Sequence, residues 1–471
     1  MKFQKVMALG LASIMAVASL TACGNKTETP SNVSDKKVEG KINLTVGGWP
    51  NETNPASVEK YMDYARQFGE KYPDVNIIPD TASYADAKIF QPKAAAGQLP
   101  TVYTTHFTEI QKTIRSKYAY NITEILKERG LLDALNPDLL TIATGEDGNV
   151  YGIPTNAYMM GLAINRTLFE EAGLINEDGT AKIPQTYQEL AETSKIIREK
   201  TGKAGFVLCT TNNCGGWHFM NIAWSFGVNF MKQREDGTWE ATFNTPEAVE
   251  ALQYVKDLKW KYDALPANSV IDQNEAHKIV GIGEAAMQFE AISDCFARQF
   301  GMDPQMLSYG TLPAGPAGRF VQTGGTVTTF SHTATKEEIN AAFDWLELIG
   351  TLSIELDEQK IANTKKSYET TIAENGIVFP GQSIPLWVNP ERQNAQQAII
   401  DEYTNVDMKH FKEYYAAEGV TLRPEEPMAC QQLYSVLDNA IQEVITNKDA
   451  DCAKLIATAC EDFQLNHLDK L

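Results

Sequence analysis

Ile42-Asn43-Leu44-Thr45-Val46-Gly47-Gly48 alternates apolar and polar side chains and closes on two glycines, the pattern of a half-buried strand running into a turn. Val58, Tyr61, Met62, Ala65 and Phe68 then recur at helical spacing, so the folded part of the chain opens as β-loop-α. Val75-Asn76-Ile77-Ile78 and Thr101-Val102-Tyr103-Thr104 read as second and third strands, each followed by a helix-like segment. Strands alternating with helices place the chain in the α/β class. Further helix starts are marked chemically. Thr186 with Glu189 and Thr335 with Glu338 have capping-box spacing, and Thr245-Pro246 offers an N-cap with proline at the first helical position. Near the C-terminus, which reads as mainly helical, Leu433, Val436, Leu437, Ile441 and Val444 share one helix face.

The whole chain has 471 residues, enough for roughly two or three core units. Its 61 acidic against 41 basic residues give a formal charge of −20. That balance excludes nucleic-acid partners, whose binding needs clustered Lys and Arg. Residues 1–22 read as an export signal, with Lys2 and Lys5 before an apolar stretch over residues 6–20. Leu20-Thr21-Ala22-Cys23 resembles a bacterial lipobox, which implies that Cys23 is lipidated. Residues 23–40 are polar and read as a flexible tether. No later apolar run reaches the roughly 20 residues of a spanning helix. The expected location is therefore extracytoplasmic, with the membrane reached through the lipid anchor alone.

No phosphate-binding loop, H-E-x-x-H, G-x-S-x-G, C-x-x-C or EF-hand spacing occurs, and no histidine pair has metal-ligand spacing. The expectation is no catalysis, no metal and no cofactor. Apart from Cys23, six cysteines allow 15 full pairings, so connectivity is not readable. Cys209 and Cys214 flank Thr-Thr-Asn-Asn and could close that loop, with free thiols as the alternative. On one helix, Cys452 and Cys460 would lie about 12 Å apart along its axis and could not bridge each other.

Asp147-Gly148-Asn149-Val150-Tyr151-Gly152-Ile153-Pro154 followed by Gly161-Leu162-Ala163-Ile164-Asn165-Arg166-Thr167-Leu168-Phe169-Glu170-Glu171-Ala172-Gly173-Leu174 resembles the interlobe crossover of the family 1 extracellular solute-binding proteins of ABC importers. Ala94-Ala95-Ala96-Gly97-Gln98-Leu99-Pro100, Pro184-Gln185-Thr186-Tyr187-Gln188-Glu189-Leu190, Gly283-Glu284-Ala285-Ala286-Met287 and Leu312-Pro313-Ala314-Gly315-Pro316 resemble further family segments in the family's order. The resemblance implies a two-lobe, type II periplasmic-binding-protein-like fold with discontinuous lobes and a ligand cleft closed by a hinge. It divides the chain into 41–154 plus 313–352 and 155–312 plus 353–471, with crossovers near Pro154, Leu312 and Gly350. It implies capture of a carbohydrate, an oligosaccharide, by a monomer that delivers it to ABC permease subunits.

A sugar ring offers an apolar C–H face and a rim of hydroxyls, which aromatic faces and amide, carboxylate or imidazole groups match. On the resemblance, Trp49 and Asn51 after the first strand, His106 after the third, Asn156 and Tyr158 on the crossover, and Trp217 in Gly-Gly-Trp-His are expected ligand contacts. Relatives often carry a tryptophan after Ala-Ala-Met; here Phe289 and Glu290 would fill that place, and Glu290 is expected in the site. Backbone N–H groups at Gly325, before a strand over residues 326–330, are expected to meet ligand oxygens. Trp224, Trp239, Trp260 and Trp345 read as packing residues. The rival readings are a non-sugar solute such as a polyamine or phosphate ester, and a surface-anchored glycosidase.

Overall fold

The computed structural model describes residues 29–84, 87–375, 378 and 384–470. The lipobox cysteine Cys23 and the signal segment lie outside them. Eleven strands occur among the described residues: β1 Ile42–Gly47, β2 Val75–Asp80, β3 Val102–His106, β4 Gly152–Asn165, β5 Ala204–Val207, β6 Met231–Gln233, β7 Trp239–Ala241, β8 Ala285–Ala291, β9 Leu307–Gly310, β10 Arg319–Phe330 and β11 Val420–Pro424. Nine form one sheet in the order β2-β1-β3-β10-β4-β8-β5, with β11 on β10 and β9 on β4; β6 and β7 make a separate hairpin. The three strands read first from the sequence are parallel neighbours at one end.

Helix starts follow the side chains that mark them. Thr335 accepts from the Glu338 N–H while Glu338 accepts from the Thr335 N–H, closing the full capping box of the helix Lys336–Leu348. Thr186 and Thr245 accept from Glu189 and Ala248 to cap the helices Tyr187–Thr201 and Pro246–Trp260. Each cap satisfies amide donors that a first helical turn otherwise leaves without partners.

Two large hydrophobic cores flank the middle of the sheet. One gathers Leu44, Phe68, Ile77, Ile153, Phe330, Phe343 and Trp345. The other gathers Met159, Leu162, Phe206, Phe289, Tyr309, Leu433 and Phe463. Between them sits a small apolar cluster of Phe107, Ile110, Ala157 and Val327. Two strands run through all three. β4, at 14 residues, passes Ile153 to the first core, Ala157 to the small cluster and Met159 onward to the second. β10 makes the return journey, with Val321 in the second core, Val327 in the small cluster and Phe330 in the first. The second crossing therefore lies inside β10 rather than at Leu312, which is itself a residue of the second core. Gly324 and Gly325 lie within this strand and do not precede it. Trp387 joins the first core, with a bridge to Leu135 and the Arg392 guanidinium over its ring.

Trp49 is a core residue. It is 3% exposed, stacks on Trp345 at 5.7 Å and meets Tyr61 edge-on at 5.2 Å. Its ring has no face left for a ligand, because it is taken up by Tyr61 and by Trp345 of the helix Lys336–Leu348. Trp49→Ala should lower unfolding free energy by about 3–5 kcal/mol in urea denaturation. A loss below about 1 kcal/mol would show that this ring does not support the core.

Candidate functional site

The middle of the sheet presents a polar strip where β3, β10 and β4 lie side by side. Thr326 of β10 pairs with His106 on one side and Asn156 on the other. Directly paired residues share a face, so the three side chains form one row, with His106 and Asn156 exposed. The β4–β10 register slips between Thr326 and Val327, leaving Thr155 as an extra residue, a bulge of the kind that re-aims neighbouring side chains. Two residues along β4, Tyr158 faces Gly324 of β10. A Cβ at Gly324 would stand 2.3 Å from the Tyr158 hydroxyl and 3.2 Å from Glu425 Oε2. Glycine is required because the tyrosine ring and the Glu425 carboxyl both lean over that point. The second row is thus Tyr158, Gly324 and Glu425.

Trp217 completes an aromatic corner above the second row. Its ring meets Tyr158 edge-to-face at 6.3 Å, and it stays half-exposed. It stands in the first turn of the helix Cys214–Phe226. That turn is held by Asp438, whose carboxylate accepts from the Asn213 N–H at 2.8 Å and the Gly216 N–H at 2.7 Å. Burial raises the Asp438 carboxyl to about 6 against these amide bonds. Burial likewise raises Glu425 to about 7, opposed by the Tyr434 hydroxyl donating at 2.6 Å and reinforced by the nearby Glu109 carboxylate. Near neutral pH the Glu425 carboxyl can both donate and accept hydrogen bonds. Beside it, a cavity of about 200 Å³ opens between Glu109 and Lys112 on one side and Met428, Ala429 and Gln432 on the other.

The structure thus brings together His106, Asn156, Tyr158 and Trp217 of the residues expected from the sequence. Asn51 is exposed and spends its carboxamide oxygen on the Thr53 N–H and hydroxyl. Glu290 is not turned to the strip. It is buried, accepts from Gln273 Nε2 at 3.0 Å and contacts His277 Nε2, whose other hydrogen bond goes to the Cys295 thiol. Burial would lower His277, but these two partners raise it to about 10. Gly325 has a packing role: a Cβ there would lie 2.0 Å from the Asn156 carbonyl oxygen and 2.7 Å from Phe107. Glu425, Tyr434 and Asp438 were missed. The signal that could have found the first is Pro424-Glu425-Glu426-Pro427, two acids pinned between prolines just before an apolar helix. A separate cavity of about 730 Å³ lies elsewhere, among Asp178, Lys182, Glu189, Arg319, His410 and Glu413.

Residues 49–350 match the family model described as bacterial extracellular solute-binding protein. The chain belongs to the bacterial extracellular solute-binding proteins. Among curated relatives of this solute-binding protein, one from Brucella abortus (strain 2308), named as a binding protein, is 26% identical over 242 residues, which are 50% of this chain and 54% of the relative. The chain spans about half the length of the curated relatives it matches. The maltose-bound MalE3 of T. maritima aligns with a TM-score of 0.63 and 20% identity over 90% of this chain and 99% of that one. UgpB from Mycobacterium tuberculosis, in complex with glycerophosphocholine, aligns with a TM-score of 0.65 and 14% identity over 92% and 100%. The fold of this solute-binding protein is the two-lobe periplasmic-binding-protein fold, and the strip lies on the strands β4 and β10 that pass between the two large cores.

Because Glu425 titrates at about 7 rather than at its ordinary 4.5, the stability tied to its protonated form is fully present below pH 4.5 and lost as pH rises through 7. Relative to Glu425→Gln, the wild type should therefore lose on the order of 1 kcal/mol between pH 4.5 and 8, the residue keeping enough exposure for solvent to screen part of the effect. Urea midpoints at both pH values measure this. Parallel pH profiles for the two proteins would contradict it.

Proposed function

We propose that this chain is the extracytoplasmic binding component of an ABC importer, that it captures an oligosaccharide by hinge closure, and that it delivers the sugar to permease subunits. The observation that carries the reading is the Trp217–Tyr158 corner standing over a row of His106, Thr326 and Asn156. Aromatic edges and faces suit the C–H surface of a pyranose, and amide, imidazole and hydroxyl groups suit its hydroxyl rim. The maltose-bound MalE3 relative supports the same class. In this reading the chain is a monomer without catalysis or cofactor. In the same reading it is exported and held by a lipid on Cys23; among the described residues no helix is long and apolar enough to cross a membrane. The lobes are read as 41–154 with 313–352 and as 155–312 with 353–471, except that Val321 packs in the second core and Trp387 in the first. The ligand would act by binding the closed arrangement better than the open one.

One observation favours a second reading. Glu109 and Glu425 place two carboxyls beside the strip, which suits a cationic solute such as a polyamine. The bound glycerophosphocholine of UgpB keeps a phosphate ester among the arms to be tested.

A thermal-shift panel of oligosaccharides, polyamines and glycerophosphodiesters separates these classes. A ligand at 100 times its Kd adds about 2.7 kcal/mol, and only oligosaccharides should shift Tm. A shift with polyamines or phosphodiesters alone would overturn the sugar assignment. Trp217→Ala should weaken saccharide binding about ten- to hundredfold in calorimetry while apo Tm stays within a few degrees.

A further inference from the structure

The helix that carries Trp217 begins at a sulfur-and-imidazole cluster. Cys209 and Cys214 form a disulfide, with Cα atoms 5.6 Å apart, across the loop of residues 210–213. His218, one turn into the helix, is 0% exposed, and its Nδ1 lies 3.3 Å from Cys209 Sγ. Among the described residues that sulfur is the only hydrogen-bond partner recorded for the ring. A disulfide sulfur is a poor acceptor, so a fully buried imidazole here is weakly satisfied. One ligand atom from each of Cys209, Cys214 and His218 lies within 4.8 Å of the others.

The cluster is held by groups other than the disulfide. Thr210 donates its N–H to Ile271 O at 2.8 Å and its hydroxyl to Ser269 O at 2.7 Å, while its carbonyl accepts from Gln442 Nε2 at 2.6 Å. Asp438 grips the other end of the loop through the Asn213 and Gly216 amides. Opening the sulfur–sulfur bond would therefore leave both cysteines and His218 in place.

We propose that the reduced form of this loop is a binding site for a thiophilic d10 ion, Zn²⁺ or Cu⁺, held by Cys209, Cys214 and His218. A dithiol reductant transfers two electrons and two protons to the disulfide, giving two thiols and its own cyclic disulfide. Zn²⁺ then displaces both thiol protons. Thiolate and imidazole are the donor pair such ions prefer. Tetrahedral zinc with Zn–S of about 2.3 Å and Zn–N of about 2.0 Å spaces sulfur from nitrogen by about 3.5 Å and sulfur from sulfur by about 3.8 Å. The Cys209–His218 spacing is already close to this, and modest side-chain rotation supplies the rest. Three protein ligands leave a fourth position for water. Trp217, whose ring lies 4.9 Å from that of His218 at a tilt of 35°, is near enough to report the occupation of the cluster.

The proposal does not depend on the identity of the solute. It is tested on the full chain, oxidised or reduced with a water-soluble phosphine that is then removed, by dialysis against Zn²⁺ and elemental analysis. The reduced protein should retain one equivalent and the oxidised protein none. Cys209 and Cys214 should be shielded from alkylation by Zn²⁺ in peptide mapping, and Co²⁺ should produce a thiolate charge-transfer band with changed Trp fluorescence. His218→Gln should raise the Zn²⁺ Kd at least tenfold, whereas Cys452→Ser, remote from the loop, should leave stoichiometry and affinity unchanged. Should His218→Gln fail to fold, the wild-type alkylation map decides alone. Absence of retained Zn²⁺ in the reduced chain, or protection falling on other cysteines, would overturn the proposal.

Discussion

Everything functional in this molecule hangs on the antiparallel pairing of β4 with β10. Both strands are long enough to enter both cores, and between the cores, among the described residues, they share the small cluster of Phe107, Ile110, Leu139, Ala143, Ala157 and Val327. A sheet with two large cores and a thin apolar waist bends most easily at the waist. The bulge at Thr155 sits there, in the one stretch where the β4–β10 register is interrupted. Hinge closure needs a few residues that absorb backbone change between rigid bodies, and this geometry supplies them beside Asn156 and Tyr158.

The same constraint explains why the polar groups converge. β3 ends at His106, β5 leads to the loop before Trp217, and β11 leads directly to Glu425. Ligands of open α/β sheets collect beyond such carboxyl ends. Gly324 then matters more than any side chain near it, since it lets the Tyr158 ring and the Glu425 carboxyl occupy the face of β10 together. The aromatic corner is fixed from behind, because Asp438 and the Thr210 contacts hold the turn that carries Trp217.

Much of the fold was legible because it is written locally. The alternation in residues 42–47, the capping threonines and the apolar stripe from Leu433 to Val444 each depend on neighbours within a turn or a strand. The loop-closing disulfide was legible as an option for the same reason, while Cys452 and Cys460 lie on one helix as free thiols. The errors are non-local. A tryptophan after a glycine turn points either to the cleft or to the core, and only the stacked Trp345, almost 300 residues later, decides for the core. Glu290 on β8 misleads in the same way, because its partners Gln273 and His277 belong to a different element, the helix Gln273–Gly281. Glu425, Tyr434 and Asp438 join the site through tertiary contacts that no short stretch encodes. The 14-residue strand β4 was visible only as a family-like crossover, since buried strands lack the polar alternation that marks half-buried ones.

If solute binding closes the two lobes about the β4–β10 waist, the complex is more compact than the protein alone. Small-angle X-ray scattering of the protein alone, and with a saturating amount of the oligosaccharide that raises its Tm most, tests this directly. The account predicts a smaller radius of gyration and a shorter maximum dimension in the complex. Superimposable scattering curves with the sugar demonstrably bound would contradict it.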